Sequence, residues 1–127
     1  VLYNWPAVMT EGICPSGWHI PSDGEFTQLT NFLGGESIAG HAMKSTSGWN
    51  NNGNGSNLSG WSGLPGGIRY SSSSSVTYLG VIGYWWSSSE TGNTSNSWYR
   101  RLDYDLEQSL RHDGTRKDGR SARCIKH

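Results

Sequence analysis

The chain has 127 residues and a formal net charge of zero. Balanced charge excludes a general electrostatic attraction to nucleic acid or to an anionic membrane surface. No apolar run approaches the length of a membrane span, so direct membrane insertion is not expected either.

Hydrophobic residues make up only 33% of the chain, but seven Trp and six Tyr compensate, since each large aromatic buries roughly 150–250 Å². Disordered chains are poor in aromatics. A single folded domain over residues 1–127 is therefore expected, and its 18 glycines make it rich in loops. The charges are unevenly placed. Lys44 and Arg69 are the only basic residues before Tyr99, whereas the segment from Arg100 onward is basic but mixed in sign. The chain opens on Val1-Leu2-Tyr3-Asn4-Trp5 without an initiator Met and reads as an excised or processed domain.

Taken in order, residues 1–13 read as a short first strand or an apolar arm, with Pro6 limiting regular structure. Cys14-Pro15-Ser16-Gly17-Trp18 reads as a turn. A helix follows: Ser22 caps it, Glu25 completes a capping box, and Phe26, Leu29 and Leu33 form one apolar stripe. Gly34-Gly35 ends it. A second short helix is predicted from about Ser37 to Lys44, with Ile38, Ala42 and Met43 inward. Residues 45–60 are almost wholly Ser, Asn and Gly and form a long loop, pinned by Trp49 and Leu58. No acid lies between Glu36 and Glu90, and hard cations need carboxylates, so this loop is not expected to hold calcium. Trp61–Tyr70 reads as strand, glycine bend and strand. Val76–Trp86 reads as a strand pair with a heavy aromatic cluster at Tyr84, Trp85 and Trp86.

The last third, Trp98–Cys124, alternates an aromatic frame with charged residues. Trp98–Tyr104 has the period-2 pattern of a half-buried strand. Glu107–Arg111 would pair back on it, Asp113-Gly114 is a turn dipeptide, and Arg120–Lys126 is a final strand. The stretch reads as a ligand-reading surface. The alternative is an ordinary solvated charged face.

Cys14 and Cys124 stand near opposite ends of the chain, in no metal-like spacing with His19, His41, His112 or His127. In an exported domain they would form a disulfide. In a cytosolic protein they would be two buried thiols. No metal and no cofactor is expected.

Several ordered motifs carry a resemblance. LYNW, GICPSGWHIPSDGEF, TQLTNFLGG, AGHAMKSTSGW, LPGGIRY, GYWWSSSE, SWYRRL and RSARCIKH cover nearly the whole chain. Together they resemble the Fibrobacter succinogenes major paralogous domain, itself similar to the C-type-lectin-like fold of the formylglycine-generating-enzyme branch. The resemblance implies an α+β domain: one or two short helices packed on small antiparallel sheets, with long irregular loops and the chain ends together. It also implies an exported bacterial protein, commonly of the Bacteroidetes, either at the cell surface (with a lipoprotein anchor as one route) or on a phage virion.

Family members read approximately WYRxLNYNNSxVYRNNNNKxxGFSVRC in the closing stretch. This chain keeps Trp98, Tyr99, Arg100, Leu102, Tyr104, Arg111, Gly119, Ser121, Arg123 and Cys124. It departs at Asp103, Asp105, Leu106, Leu110, His112, Asp113, Gly114 and Thr115, and Arg101, Asp118 and Arg120 also look free. The replacements for Asn are those that adenine-specific mutation of an AAC codon yields. In this the chain resembles the C-type-lectin-like variable proteins of diversity-generating retroelements, which carry such a stretch at the C-terminus.

The expected function is therefore binding of a protein or carbohydrate ligand through residues 98–124, with Arg101 and Arg120 as electrostatic anchors. The signatures of calcium-dependent sugar binding are absent: Trp49-Asn50 is followed by Asn51, not Asp. An enzyme is not expected, because no Ser–His or Cys–His pairing is evident. A structural or adhesive surface domain is the alternative.

Overall fold

The computed structural model describes all of residues 1–127. Three short helices and two small antiparallel sheets are joined by long irregular segments. The α+β expectation holds in this form.

The N-terminal segment departs from its reading. Trp5–Val8 is a helical turn, α1, with the Asn4 side chain accepting from the Ala7 N–H. Pro6 favours rather than opposes it, because proline is pre-organised for the first turn of a helix. Tyr3, just before, bridges to Arg120. The turn at Cys14–Trp18 leads into a two-residue strand, β1 (Trp18–His19).

Helix α2 (Asp23–Phe32) starts as the sequence dictates, with both halves of the capping box between Ser22 and Glu25 in place. Phe26 is buried, while Leu29 and Leu33 are half-buried against the same core. Helix α3 (Glu36–Met43) follows after Gly34 and Gly35, both in the left-handed region. Its inward residues are Ala39, Gly40 and Met43, while Ile38 is 50% exposed. Gly40 explains this rotation. A Cβ there would lie 2.2 Å from the Gln108 carbonyl oxygen, so the backbone of residues 107–108 sits directly on the helix.

From Lys44 to Val81 the chain forms no helix or extended strand. Trp49 pins the Asn-rich loop by donating from its indole nitrogen to the Gly63 carbonyl at 3.0 Å. Leu58, expected to help, is 84% exposed. The strands expected around Gly66-Gly67 reduce to isolated bridges, Ile68 with Thr77 and Arg69 with Gly119. Gly67 has φ +71 and lies against the Thr77 carbonyl, which bends the chain out of a regular ladder.

The main sheet has the order β2 (Ile82–Glu90), β3 (Asn96–Asp103), β4 (Leu110–Thr115), all antiparallel. Asp113-Gly114 is not a turn. Both residues lie within β4, and the reversal is at 104–109. Gly114 marks a close approach instead: a Cβ there would stand 2.4 Å from the Arg120 guanidinium and 3.0 Å from the Tyr99 ring. The expected last strand shrinks to β5 (Ile125–Lys126), paired with β1.

One core cluster joins Phe26, Met43, Trp49, Trp61, Trp85 and Leu102. A second joins Trp5, Val8, Ile20 and Trp86. Beside the second, Cys14 and Cys124 form a disulfide that ties together the two ends of the chain. Such bonds belong to oxidising, extracytoplasmic compartments. No helix is long and apolar enough to cross a membrane. Removing the disulfide by Cys14→Ala together with Cys124→Ala is expected to lower stability by about 2–4 kcal/mol. Urea denaturation of the variant, beside wild type with and without reductant, measures this. An unchanged midpoint would mean that the covalent tie contributes nothing.

Candidate functional site

Side chains alternate along a strand, and directly paired residues share a face. On one face of the main sheet stand Trp98, Arg100 and Leu102 of β3, beside Arg111 and Asp113 of β4. This face meets α2. On the other stand Tyr99, Arg101 and Asp103, flanked by Tyr84 and Trp86 of β2 and by Leu110, His112 and Gly114 of β4.

The helix-side face is fixed by one carboxylate. Asp23, the first residue of α2, accepts from Arg100 Nη1 at 2.6 Å and from Arg111 Nη2 at 2.7 Å and Nε at 3.0 Å. Arg100 also donates to the Asp23 carbonyl and to the Thr27 hydroxyl, and its side chain is 0% exposed. Arg111 stacks on Trp98, its guanidinium carbon 3.5 Å from the ring centre. Burial pushes the Asp23 carboxyl upward, but the hydrogen bonds and charges of Arg111 and Arg100 outweigh it and hold the group below its ordinary 3.8.

The opposite face carries the candidate binding residues. Arg101 grips Asp103 with two parallel bonds, at 2.6 and 2.7 Å, which raises the Arg101 pKa. Arg101 also lies over the Tyr84 ring at 5.9 Å. Tyr84 and Tyr99 lie 5.8 Å apart, and His112 is 6.0 Å from Tyr99. Burial pushes the Tyr84 hydroxyl up to about 12, so it remains a proton donor near neutrality. Leu110 stands opposite Arg101 in the register. Asp105 and Leu106 lie in the turn between β3 and β4, next to a small recess they share with His41 and Asn52.

The sheet therefore brings together Arg101, Leu110, His112 and Gly114, with Asp105 and Leu106 at one end. Asp113 and Thr115 fall on the other face, where Asp113 accepts from the Asn96 amide at 3.0 Å. Three expected display residues point inward. Asp103 is 7% exposed, Asp118 5% and Arg120 3%. Each has a structural partner that a strand-periodicity argument does not reveal. Asp103 is neutralised by Arg101. Asp118 accepts from the Ser71 backbone at 3.0 Å. Arg120 lies 4.3 Å from the Trp86 ring and 4.2 Å from that of Tyr99, donates to the Thr115 carbonyl and stands 3.6 Å from Asp118. Burial lowers its pKa. Arg120 is thus the floor beneath the face and not an anchor upon it.

Two residues of consequence escaped the sequence reading. Asp23, an acid in the first turn of α2, has no local signal of its distant arginine partners. Lys44 is buried, its ammonium donating to the Asp103 carbonyl at 3.0 Å and the Leu106 carbonyl at 2.9 Å. Its signal was available, because it is the sole basic residue before Arg69.

The model of the Fibrobacter succinogenes major domain matches residues 1–126. The chain belongs to that family. No curated protein and no solved structure matches it. In this Fibrobacter succinogenes major domain Trp98, Arg100, Leu102 and Arg111 lie on the helix-side face, and Tyr99 lies on the opposite one.

The Asp23 cluster yields a pH prediction. Its folded pKa lies below the unfolded value, so the stabilisation is present above about pH 4 and disappears as pH falls through the folded pKa. Asp23→Ala would strand the buried Arg100 cation and is expected to cost about 3–5 kcal/mol. Chemical denaturation from pH 2 to 7 checks both, as orders of magnitude. A wild-type acid transition that persists unchanged in the Asp23→Asn variant would remove Asp23 as its source.

Proposed function

We propose that this domain is a ligand-binding and display module, a variable protein of a diversity-generating retroelement with a C-type-lectin-like fold. It binds a protein or glycan partner through its C-terminal surface. The observation that carries the reading is the placement of Arg101, Leu110 and His112 together on the face of the sheet away from α2, with Asp113 and Thr115 on the helix side. Arg100 and Arg111 are locked against α2 through Asp23, while the kept Tyr99 shares the opposite face with Arg101, Leu110 and His112. Rigid support behind exchangeable side chains is what a display scaffold requires. Exposed Asp105 and His112, with the half-buried ring of Tyr99, offer hydrogen bonding and stacking to either partner class. The disulfide joining the chain ends and the packing of short helices on small sheets support the lectin-like assignment. The disulfide also supports an exported location, at a bacterial cell surface or on a phage virion. We favour binding over catalysis because the two cysteines are joined to each other and neither is a free nucleophile.

The burial of Asp103, Asp118 and Arg120 favours a second reading, an adhesive or structural surface domain without diversification. Freely exchanged positions would not be expected to hold paired, buried charges. Sequencing the adjacent DNA separates the two. The first reading expects a reverse transcriptase gene and a near-copy of the region coding for 98–127 that differs only at adenines. Their absence would leave the second.

Replacing Asp105, His112 and Asp113 together by Ala is expected to shift the melting temperature by no more than about 5–9 °C, since exposed substitutions act within about 0.5 kcal/mol each. The same variant should lose partner binding in a screen of bacterial surface proteins and glycans. Retained binding would move the site off this surface.

A further inference from the structure

A groove of about 490 Å³ lies at the far end of β4 from the turn. It falls in the size range of small-molecule sites, roughly 300–1,000 Å³. Asn4, Pro6, Thr94, Ser95, Thr115, Arg116 and Lys117 line it, and no carboxylate does. Apart from Thr115, it uses none of the display residues.

Its donors are unusually well fixed for a surface groove. Arg116 donates from Nε to the Asn96 carbonyl at 3.1 Å and to the Ser97 hydroxyl at 2.9 Å. Its guanidinium lies 4.4 Å from the Trp5 ring. Its backbone bonds on both sides, to the Ser95 carbonyl and from the Trp5 N–H. Those bonds occupy Nε and leave the two outer nitrogens for a ligand. The nearest acid, Glu90, is 3.8 Å away and mostly exposed, so this pair is weak. The carbonyl end of the Asn4 amide caps α1, which leaves its nitrogen as a donor. Lys117 is exposed.

We propose that this groove binds an acidic sugar residue. The carboxylate would sit on Arg116 and Lys117, and the ring hydroxyls would exchange hydrogen bonds with Asn4, Thr94 and Ser95. A planar guanidinium held from behind matches a carboxylate. Neutral side chains that both donate and accept match a polyol better than they match a peptide, whose recognition would use apolar pockets or a strand edge.

The test is a chemical-shift titration of isotopically labelled protein with methyl glucuronide, methyl glucoside, sodium sulfate and triglutamate. Methyl glucuronide should shift residues 94–95 and 115–117 and saturate on the order of millimolar. Methyl glucoside, which carries a hydroxymethyl group in place of the carboxylate, should bind about tenfold more weakly, as should methyl glucuronide to the Lys117→Glu variant. The Asp105, His112 and Asp113 triple-alanine variant should bind methyl glucuronide as wild type does, which separates this site from the display face. The proposal is overturned by the absence of saturable shifts with methyl glucuronide. It is equally overturned by sulfate acting as well as the sugar, by tighter binding of triglutamate, or by unchanged affinity in Lys117→Glu.

Discussion

The closing sheet depends on the carboxylate of Asp23. Arg100 is fully enclosed, and a buried guanidinium without a counter-charge is strongly destabilising. Asp23 answers that charge and, with the same two oxygens, holds Arg111 of the neighbouring strand. One side chain thus connects α2, β3 and β4. Its position is fixed in turn by the capping box at Ser22 and Glu25, which sets where the helix begins. A local sequence signal at residue 22 therefore determines how a strand ninety residues later is seated. The stack of Arg111 on Trp98 adds a cation–π contact on the same face.

Lys44 plays the matching part at the turn. A reversal of six residues between β3 and β4 would leave carbonyl groups unpaired wherever it is buried. The Lys44 ammonium takes two of them, those of Asp103 and Leu106. Desolvation lowers the Lys44 pKa, while the charges of Asp103, Asp105 and Glu107 act to raise it. Gly40 on α3 and Gly53 in the Asn-rich loop complete the seat, because a Cβ at either would collide with the turn. The turn that carries Asp105 and Leu106 is thus held from within by the protein's own cation.

Much of this was legible in the sequence where one local rule sufficed. The capping box and the Gly34-Gly35 stop each report a helix boundary that the structure keeps, and the Phe26 stripe reports the inward face. Misreadings arose where a residue answered to a distant neighbour. Asp113-Gly114 has the composition of a tight turn, but Gly114 is there because Arg120 and Tyr99 leave no room. Ile38 is apolar yet outward, because Gly40 must face the 107–108 backbone. Period-2 alternation assigned Asp103 correctly to the face of Arg101, but alternation gives the face and not the depth. Depth on that face comes from the segment 115–120 folding beneath it, and nothing in the local pattern of that segment announces its path.

This depth divides the departures from the family pattern into two kinds. Asp105, His112 and Asp113 are exposed, and their side chains can change without disturbing a buried partner. Asp103, Asp118 and Arg120 form charge pairs in low-dielectric surroundings, where losing one member leaves the other uncompensated. Exchange at these three positions would be coupled: Asp103 to Arg101, and Asp118 to Arg120 and the Ser71 backbone. β4 also forms the outer edge of the sheet, and its exposed Arg111, His112 and Asp113 give that edge the charged character that discourages indiscriminate strand pairing. Protection of the edge therefore limits what can replace these residues even where there is room. The tolerant set is accordingly smaller than the set of departures, and it is concentrated on the 105–106 turn and the outer side chains of β4.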